Sequence, residues 1–217
     1  MQKRDKKQQI LEAGKDVLLK KGIFKTRVED ITNYLGIAKG SFYTYFKSKD
    51  QLLEEIIIQF FDIRKNEFEE IEKSDEDFRD KIKKFIIKRF AITTSENLKS
   101  HLILINLTRN LEHLSFELRT KLIEIELLNR KILREILKQA IGKDLKITYS
   151  EKEMEVLIIF IMGGIKSYRL DRLFYKNRED YFISDIKDLE ERMQNIDLEN
   201  EIELLTNGIL KMLTGGK

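Results

Sequence analysis

Residues 10–53 read ILEAGKDVLLKKGIFKTRVEDITNYLGIAKGSFYTYFKSKDQLL, and three helices can be read from this stretch alone. Ile10, Ala13, Gly14, Val17 and Leu18 recur at helical spacing, which predicts a first helix from about Asp5 to Lys21, stopped by Gly22. Thr26-Arg27-Val28-Glu29 has the form of a capping box, in which the threonine hydroxyl accepts from a free helix N–H and the glutamate reaches back to the cap. A second helix starts there, buries Val28, Ile31 and Leu35, and ends at Gly36. A third, from about Ala38 to Tyr45, buries Phe42 and Phe46, four residues apart, and so turns Lys39, Ser41 and Tyr43 elsewhere.

The rest of the 217 residues extends the helical pattern. Hydrophobic residues make up 41% and charged ones 36%, enough apolar mass for a full core. Proline is absent and glycines number only 10, which argues against many short strands joined by tight turns and for an all-α fold. Ser48-Lys49-Asp50-Gln51 opens a long helix with the stripe Leu53, Ile56, Ile57, Phe60, Phe61, Phe68 and Ile71. Ser74 is expected to cap the next segment, which buries Phe78, Ile82, Phe85 and Ile86 ahead of a polar break at Thr93-Thr94-Ser95. A short helix or turn follows near residues 96–104, and Leu107, Leu111, Leu114, Leu118 and Leu122 then predict one helix from about Asn106 to Ile141, closed by Gly142. Ser150-Glu151-Lys152-Glu153 caps a helix that is apolar on nearly every side from Val156 to Ile165 and continues to about Tyr175. The charged span 176–197 reads as a connector with a short helix over Ile186 to Met193. The last helix carries Leu198, Ile202, Leu205, Ile209 and Met212 at coiled-coil spacing.

Charge is distributed unevenly. Residues 1–50 hold 12 Lys/Arg against 6 Asp/Glu, whereas the remainder is net acidic within a total of +3. A basic N-terminal segment suits an anionic partner, and nucleic acid is favoured over a membrane because no strongly apolar amphipathic helix accompanies it. With no cysteine, no apolar leader in MQKRDKKQQI and a longest dense apolar run of ten residues, the expectation is a cytoplasmic protein without a membrane partner.

Two short helices joined by a glycine-containing turn meet the description of a helix-turn-helix. For DNA, its second helix must present small and hydrogen-bonding groups to base edges while neighbouring cations and hydroxyls hold phosphates. Lys39, Gly40, Ser41, Tyr43, Thr44 and Tyr45 meet that need, with Lys49 converging on an anion from the start of the following helix. Ile10-Leu11-Glu12-Ala13, Lys21-Gly22, Thr26, Val28, Asp30-Ile31, Gly36, Lys39-Gly40-Ser41, Phe42-Tyr43, Tyr45-Phe46, Ser48-Lys49 and Leu52-Leu53 together give residues 10–53 a pattern that resembles the DNA-binding region of the tetracycline-repressor (TetR) family. Ala38 departs from the family's usual serine and removes a side-chain cap, a loss of about 1 kcal/mol in comparable changes. Leu18, Leu35 and Ile37 replace phenylalanine, alanine and valine as apolar exchanges, and Tyr45 replaces histidine.

The resemblance implies a helix-turn-helix domain over residues 1–47 fused to a helical effector-binding and dimerisation domain over 48–217. It also implies a homodimer on double-stranded, palindromic operator DNA, a small-molecule effector and a repressor's role, with Thr26, Arg27, Lys39, Gly40, Ser41, Tyr43, Thr44, Tyr45 and Lys49 at the DNA. Arg27 and Thr44 are expected to set which sequence is read. Phe60, Asn106, Arg109, Asn110, His113 and Tyr168 are candidate effector contacts, Asn106, Asn110 and His113 being read as one helical face. Val156, Phe160, Leu198, Ile202, Leu205 and Ile209 are candidates for the dimer interface. Gly163 and Gly164 join them, because two glycines inside a helix suggest close helix approach within the body or across a dimer. His101 and His113 make no obvious metal pair, and no HExxH, Walker-type or GxSxG pattern is present, so no enzyme, cofactor or metal is expected. The competing readings are a helical adaptor with no DNA role and a constitutive DNA-binding regulator with no effector.

Overall fold

A computed structural model of the chain describes residues 2–90, 95–146, 148–172, 187–188, 191 and 196–215. Among them are nine α-helices and no strand: α1 (Gln2–Lys21), α2 (Val28–Leu35), α3 (Lys39–Tyr43), α4 (Lys49–Lys73), α5 (Phe78–Phe90), α6 (Ser95–Thr108), α7 (Phe116–Ala140), α8 (Glu151–Leu170) and α9 (Leu198–Thr214). The fold is all-α, with the expected N-terminal helix-turn-helix. The predicted break at Thr93-Thr94 and most of the 176–197 connector lie outside the described residues. No helix among the described residues is long and apolar enough to cross a membrane.

The helices gather into two compact units. The first holds α1, α2, α3, α4 as far as Ile63, α6, and α7 as far as Ile125; the second holds the remainder of α4 and α7 with α5, α8 and α9. The boundary expected at residue 47 therefore falls inside the first unit, whose core continues from Ile10, Leu18, Ile31, Phe42 and Phe46 through Leu52, Ile56 and Phe60 to Ile103, Leu107 and Leu118. Helix α6 packs on α1, where Lys99 meets Asp16 at 2.6 Å. A Cβ added at Gly14 would lie 2.9 Å from Leu52 Cδ1, so α1 carries a glycine where α4's leucine presses against it. The second unit closes around Phe68, Phe85, Ile136, Ile158, Ile161, Met162 and Leu213, with α5 packed against both α8 and α9.

The helix ends show where a hydroxyl or carboxylate takes up a free backbone donor. Helix α2 is capped at Arg27, not Thr26: the Asp30 carboxylate accepts from the Arg27 N–H at 2.8 Å, while the buried Thr26 hydroxyl donates to the Gly22 carbonyl at 2.8 Å. The expected box is thus displaced by one residue, because Thr26 is drawn inward to close the end of α1. Gly36 adopts φ 64° and ends α2, letting the Ile37 N–H return to the Thr32 carbonyl at 3.0 Å. No side chain caps α3 at Ala38, as its methyl group requires. Ser48 accepts from the Gln51 N–H at 3.1 Å to open α4.

Three further expectations need correction. Ser74 does not open α5; its hydroxyl donates to the Ile71 carbonyl at 3.0 Å and ends α4, and Asp77 caps α5 by accepting from the Asp80 N–H at 2.8 Å. The stretch near 96–104 belongs to a full helix, α6, which runs to Thr108. The continuous helix from Asn106 to Ile141 is broken by a 3-10 turn at Leu111–His113, after which Ser115 accepts from the Leu118 N–H at 3.3 Å and starts α7. Leucine spacing crosses the break because Leu107, Leu114, Leu118 and Leu122 serve the same core from both sides of it.

Candidate nucleic-acid interface

Helix α3 divides its residues by side. Phe42 is fully buried with its ring 5.5 Å from that of Phe46, and the opposite side leaves Lys39, Gly40, Tyr43 and Thr44 exposed. The Tyr43 ring stands edge-on to Phe42 at 5.6 Å, which holds the phenol outward on a fixed base. A Cβ added at Gly40 would meet nothing within 4 Å, so the surface above this residue is open. Ser41 is half-buried, and the Thr44 hydroxyl donates to the Gly40 carbonyl at 3.2 Å, leaving its oxygen free to accept.

The first turn of α2 reaches this helix through charge. Glu29 forms an ion pair with Lys39, both side chains about half exposed, and the Lys39 ammonium also sits 5.9 Å from the centre of the Tyr43 ring. The hydrogen bond from Lys39 holds the Glu29 carboxyl below the usual carboxylate range, and the same bond raises the lysine above its usual range. Asp30 is engaged next door by Lys21 at 2.5 Å, which is the first cause of its lowered pKa. Arg27, at the cap, is exposed.

Not every expected contact faces outward. Thr26 is buried and Tyr45 packs against the core of the first unit. The Lys49 ammonium donates to the carbonyls of Ile23 at 2.8 Å and Thr26 at 3.0 Å, and burial lowers its pKa against the opposing pull of Asp50. The outward set is therefore Arg27, Lys39, Gly40, Tyr43 and Thr44, with Ser41 at its edge. Glu29 is an addition: the sequence offered it as a capping carboxylate, and its partner lies ten positions away on another helix.

Residues 10–56 match the sequence model of the bacterial regulatory proteins of the tetR family. That segment is a tetR-family region. The fatty acid metabolism regulator protein of Bacillus subtilis is 32% identical over 130 residues, 57% of this chain and 62% of that protein. An uncharacterized HTH-type transcriptional regulator of the same organism, YerO, is 27% identical over 166 residues, 76% of this chain and 55% of its own length. These alignments thus span less than two thirds of either relative. Among solved structures, the transcriptional regulator FadR from Bacillus subtilis in complex with stearoyl-CoA superposes with a TM-score of 0.62 at 24% identity, covering 97% of this chain and 98% of that one, a likeness of fold.

The remaining candidates are dispersed. In the first unit Phe60 is buried against the His101 ring at 5.6 Å. Asn106, Arg109, Asn110 and His113 do not form one helical face, because α6 ends at Thr108; the Asn110 amide turns back to the Asn106 carbonyl at 2.8 Å, Arg109 is exposed, and the His113 ring lies 5.5 Å from Phe24. In the second unit the Tyr168 hydroxyl accepts from Arg172 at 3.1 Å, and Arg172 pairs with Glu201 of α9 at 2.9 Å. The same unit holds three arginines that periodicity did not single out, Arg64 buried and Arg89 and Arg169 half-buried. Arg64 meets Glu67 at 3.1 Å, Arg89 meets Glu126 at 3.6 Å, and Arg169 donates to the Arg89 carbonyl at 2.9 Å. Burial, with Arg89 and Arg64 nearby, pushes Arg169 down to about 9, yet a guanidinium remains charged near neutrality. Among the described residues no three His, Asp or Glu side chains gather as a metal site.

The expected interface residues separate in the same way. On α8, Ile158, Ile161, Met162 and Ile165 face inward, while Val156, Ile159 and Phe160 are exposed apolar residues, Phe160 at 69%. Gly163 and Gly164 have nothing within 4 Å of an added Cβ, so neither serves a close helix contact among the described residues. On α9, Ile202 is buried and Leu198, Leu205 and Ile209 pack on the unit's own core, whereas Leu204 is 60% and Met212 44% exposed.

Proposed function

We propose that this chain is a transcriptional regulator that binds a palindromic operator as a homodimer and is released by a small-molecule effector, acting as a repressor in the cytoplasm. The observation that carries the reading is the outward set on α3, where Lys39, Gly40, Tyr43 and Thr44 stand clear on a helix whose other side is core. A five-residue helix reads only a few base pairs, and two copies linked through one interface multiply that weak contact. Val156, Ile159, Phe160 and Gly163 on α8, with Leu204, Gly208 and Met212 on α9, are the surfaces assigned to the second copy. No catalytic step and no cofactor enters the mechanism.

For the effector, the stearoyl-CoA bound to the Bacillus subtilis regulator of similar fold makes a long-chain acyl thioester the first ligand to try. Phe60 and Asn106 in the first unit are the side chains assigned to effector contact, with Arg109, Asn110 and His113 as peripheral candidates. Helix α4 carries the response: its Leu52, Leu53, Ile56 and Ile57 belong to the core that seats α3, and its Phe68 and Ile71 belong to the second core.

The test is a mobility-shift titration of the full chain on DNA upstream of its own gene, at several salt concentrations, with and without stearoyl-CoA. Sequence-selective binding that weakens steeply with salt supports the regulator, and release by the acyl thioester at micromolar concentration supports the effector class. Binding that ignores sequence overturns the first; selective binding unmoved by acyl-CoA leaves a regulator of a different effector or none.

A further inference from the structure

The Glu29–Lys39 ion pair stands at the outward edge of the helix-turn-helix, and each partner alone would be read differently. A lysine at the first residue of the second helix of such a motif is placed for DNA. A glutamate beside it is misplaced for a phosphate, because a carboxylate repels the backbone and a neutralised lysine releases little counterion. Both side chains are about half exposed and neither supports the core, so the pair contributes little as a structural tie.

The groove offers a target that needs both signs. Across the major-groove edge of a G·C pair, guanine shows its O6 and N7 acceptors and cytosine its N4 amino donor, and O6 and N4 are themselves one hydrogen bond apart. Glu29 and Lys39 likewise place an acceptor and a donor one hydrogen bond apart. The Tyr43 ring, 5.9 Å from the ammonium, limits where the lysine can swing, and the open surface above Gly40 lets the start of α3 come close to a base edge.

We propose that Glu29 and Lys39 act as a single reader of one G·C base pair in each half-site, Lys39 Nζ donating to guanine O6 or N7 and the Glu29 carboxylate accepting from cytosine N4. The inference rests on the DNA-binding reading above and adds a specificity that the family pattern leaves open, since guanine offers the ammonium two adjacent acceptors, N7 and O6, beside the cytosine amino group, whereas an A·T pair sets the adenine amino group between its two acceptors. Glu29 thereby turns a cation with a general liking for DNA into one with a preference for base identity.

The experiment is selection of bound sequences from a randomised DNA library by the full-length protein, repeated with Lys39→Ala and Glu29→Gln, followed by affinity measurements across a salt series. The wild type is expected to select a palindrome with a G·C pair at one symmetric position, and exchanging that pair for A·T should weaken binding about 5- to 150-fold per half-site. Lys39→Ala should erase the preference at that position and leave the others. Glu29→Gln should relax the cytosine requirement while raising affinity for unrelated DNA, because a negative charge is gone. A Lys39→Ala variant that keeps the selected G·C pair, or that weakens all sequences equally with a shallower salt dependence, places the lysine on a phosphate and overturns the inference while the regulator reading stands. A wild type that selects no motif at all overturns both.

Discussion

The Lys49 ammonium donates to the carbonyl of Ile23 at 2.8 Å, so the first residue of α4 ties down the loop between α1 and α2. A second bond to Thr26 at 3.0 Å fixes the same loop just before the cap of α2. A lysine committed to two carbonyls has one remaining N–H for a phosphate, and its larger contribution is to hold the entry of α2. Lys49→Met should therefore lower unfolding free energy by about 1–2 kcal/mol, the scale of charge-assisted hydrogen bonds discounted for partial exposure. Urea denaturation checks this. Operator affinity should fall too, with the salt dependence unchanged; a fully stable variant whose salt slope drops by about one unit per protomer would return Lys49 to the phosphate backbone.

Gly40 separates fold from recognition. An added methyl meets nothing within 4 Å, and the residue sits inside α3, where alanine is favoured over glycine by roughly 0.5–1 kcal/mol. Gly40→Ala should leave the melting temperature unchanged or slightly higher. The methyl group would nonetheless stand between α3 and any base edge that approaches it, so operator affinity should drop about tenfold or more in the mobility-shift assay. A variant with full affinity would mean that DNA does not come close at this point.

These cases show what periodicity carries and what it omits. Phe42 and Phe46 were legible as buried because four-residue spacing defines a side of a helix, and that alone turned Lys39 and Tyr43 outward. The two carbonyl partners of Lys49 were not legible, because main-chain acceptors have no signature in sequence. Ser115 was overlooked because leucines on either side keep serving one core, so the spacing survives the break it marks. Leu205 and Ile209 share a side of α9 as expected, but a period does not say whether that side is covered by its own chain or by a second copy.

Acid should loosen α9 from α5. Glu203 bonds to Arg79 at 2.5 Å and to Lys83, and the lysine bond is the first cause of a carboxyl pKa below its ordinary 4.5. A carboxyl lowered in the folded state binds fewer protons there than in the unfolded state. Its contribution is therefore complete above the unfolded pKa and is lost as pH falls through the folded one. The melting temperature should decline below about pH 4.5, and Glu203→Gln should be less stable than the wild type at pH 7 with a smaller further loss on acidification. Parallel curves for the two proteins between pH 7 and pH 3 would show that this pair contributes nothing.

Phe160 supplies the sharpest test of assembly. It is 69% exposed on α8, in line with Val156 and Gly163 at helical spacing, and Leu204 is 60% exposed on α9. A large aromatic left in water is unexpected unless something covers it, and in a twofold dimer one substitution alters the interface twice. A buried aromatic anchor is commonly worth 2 kcal/mol or more when removed, so Phe160→Glu should weaken dimerisation by roughly a thousandfold or more through its two copies. Light scattering at micromolar concentration should find monomers whose helical circular dichroism is intact. Leu204→Glu should act in the same direction, whereas Leu205→Glu should unfold the second unit, since Leu205 packs on its core. Operator binding should fall with the dimer, because each monomer keeps its α3 but loses the linked second contact that gives useful affinity. A Phe160→Glu protein that stays dimeric and binds DNA as the wild type does would move the interface off α8.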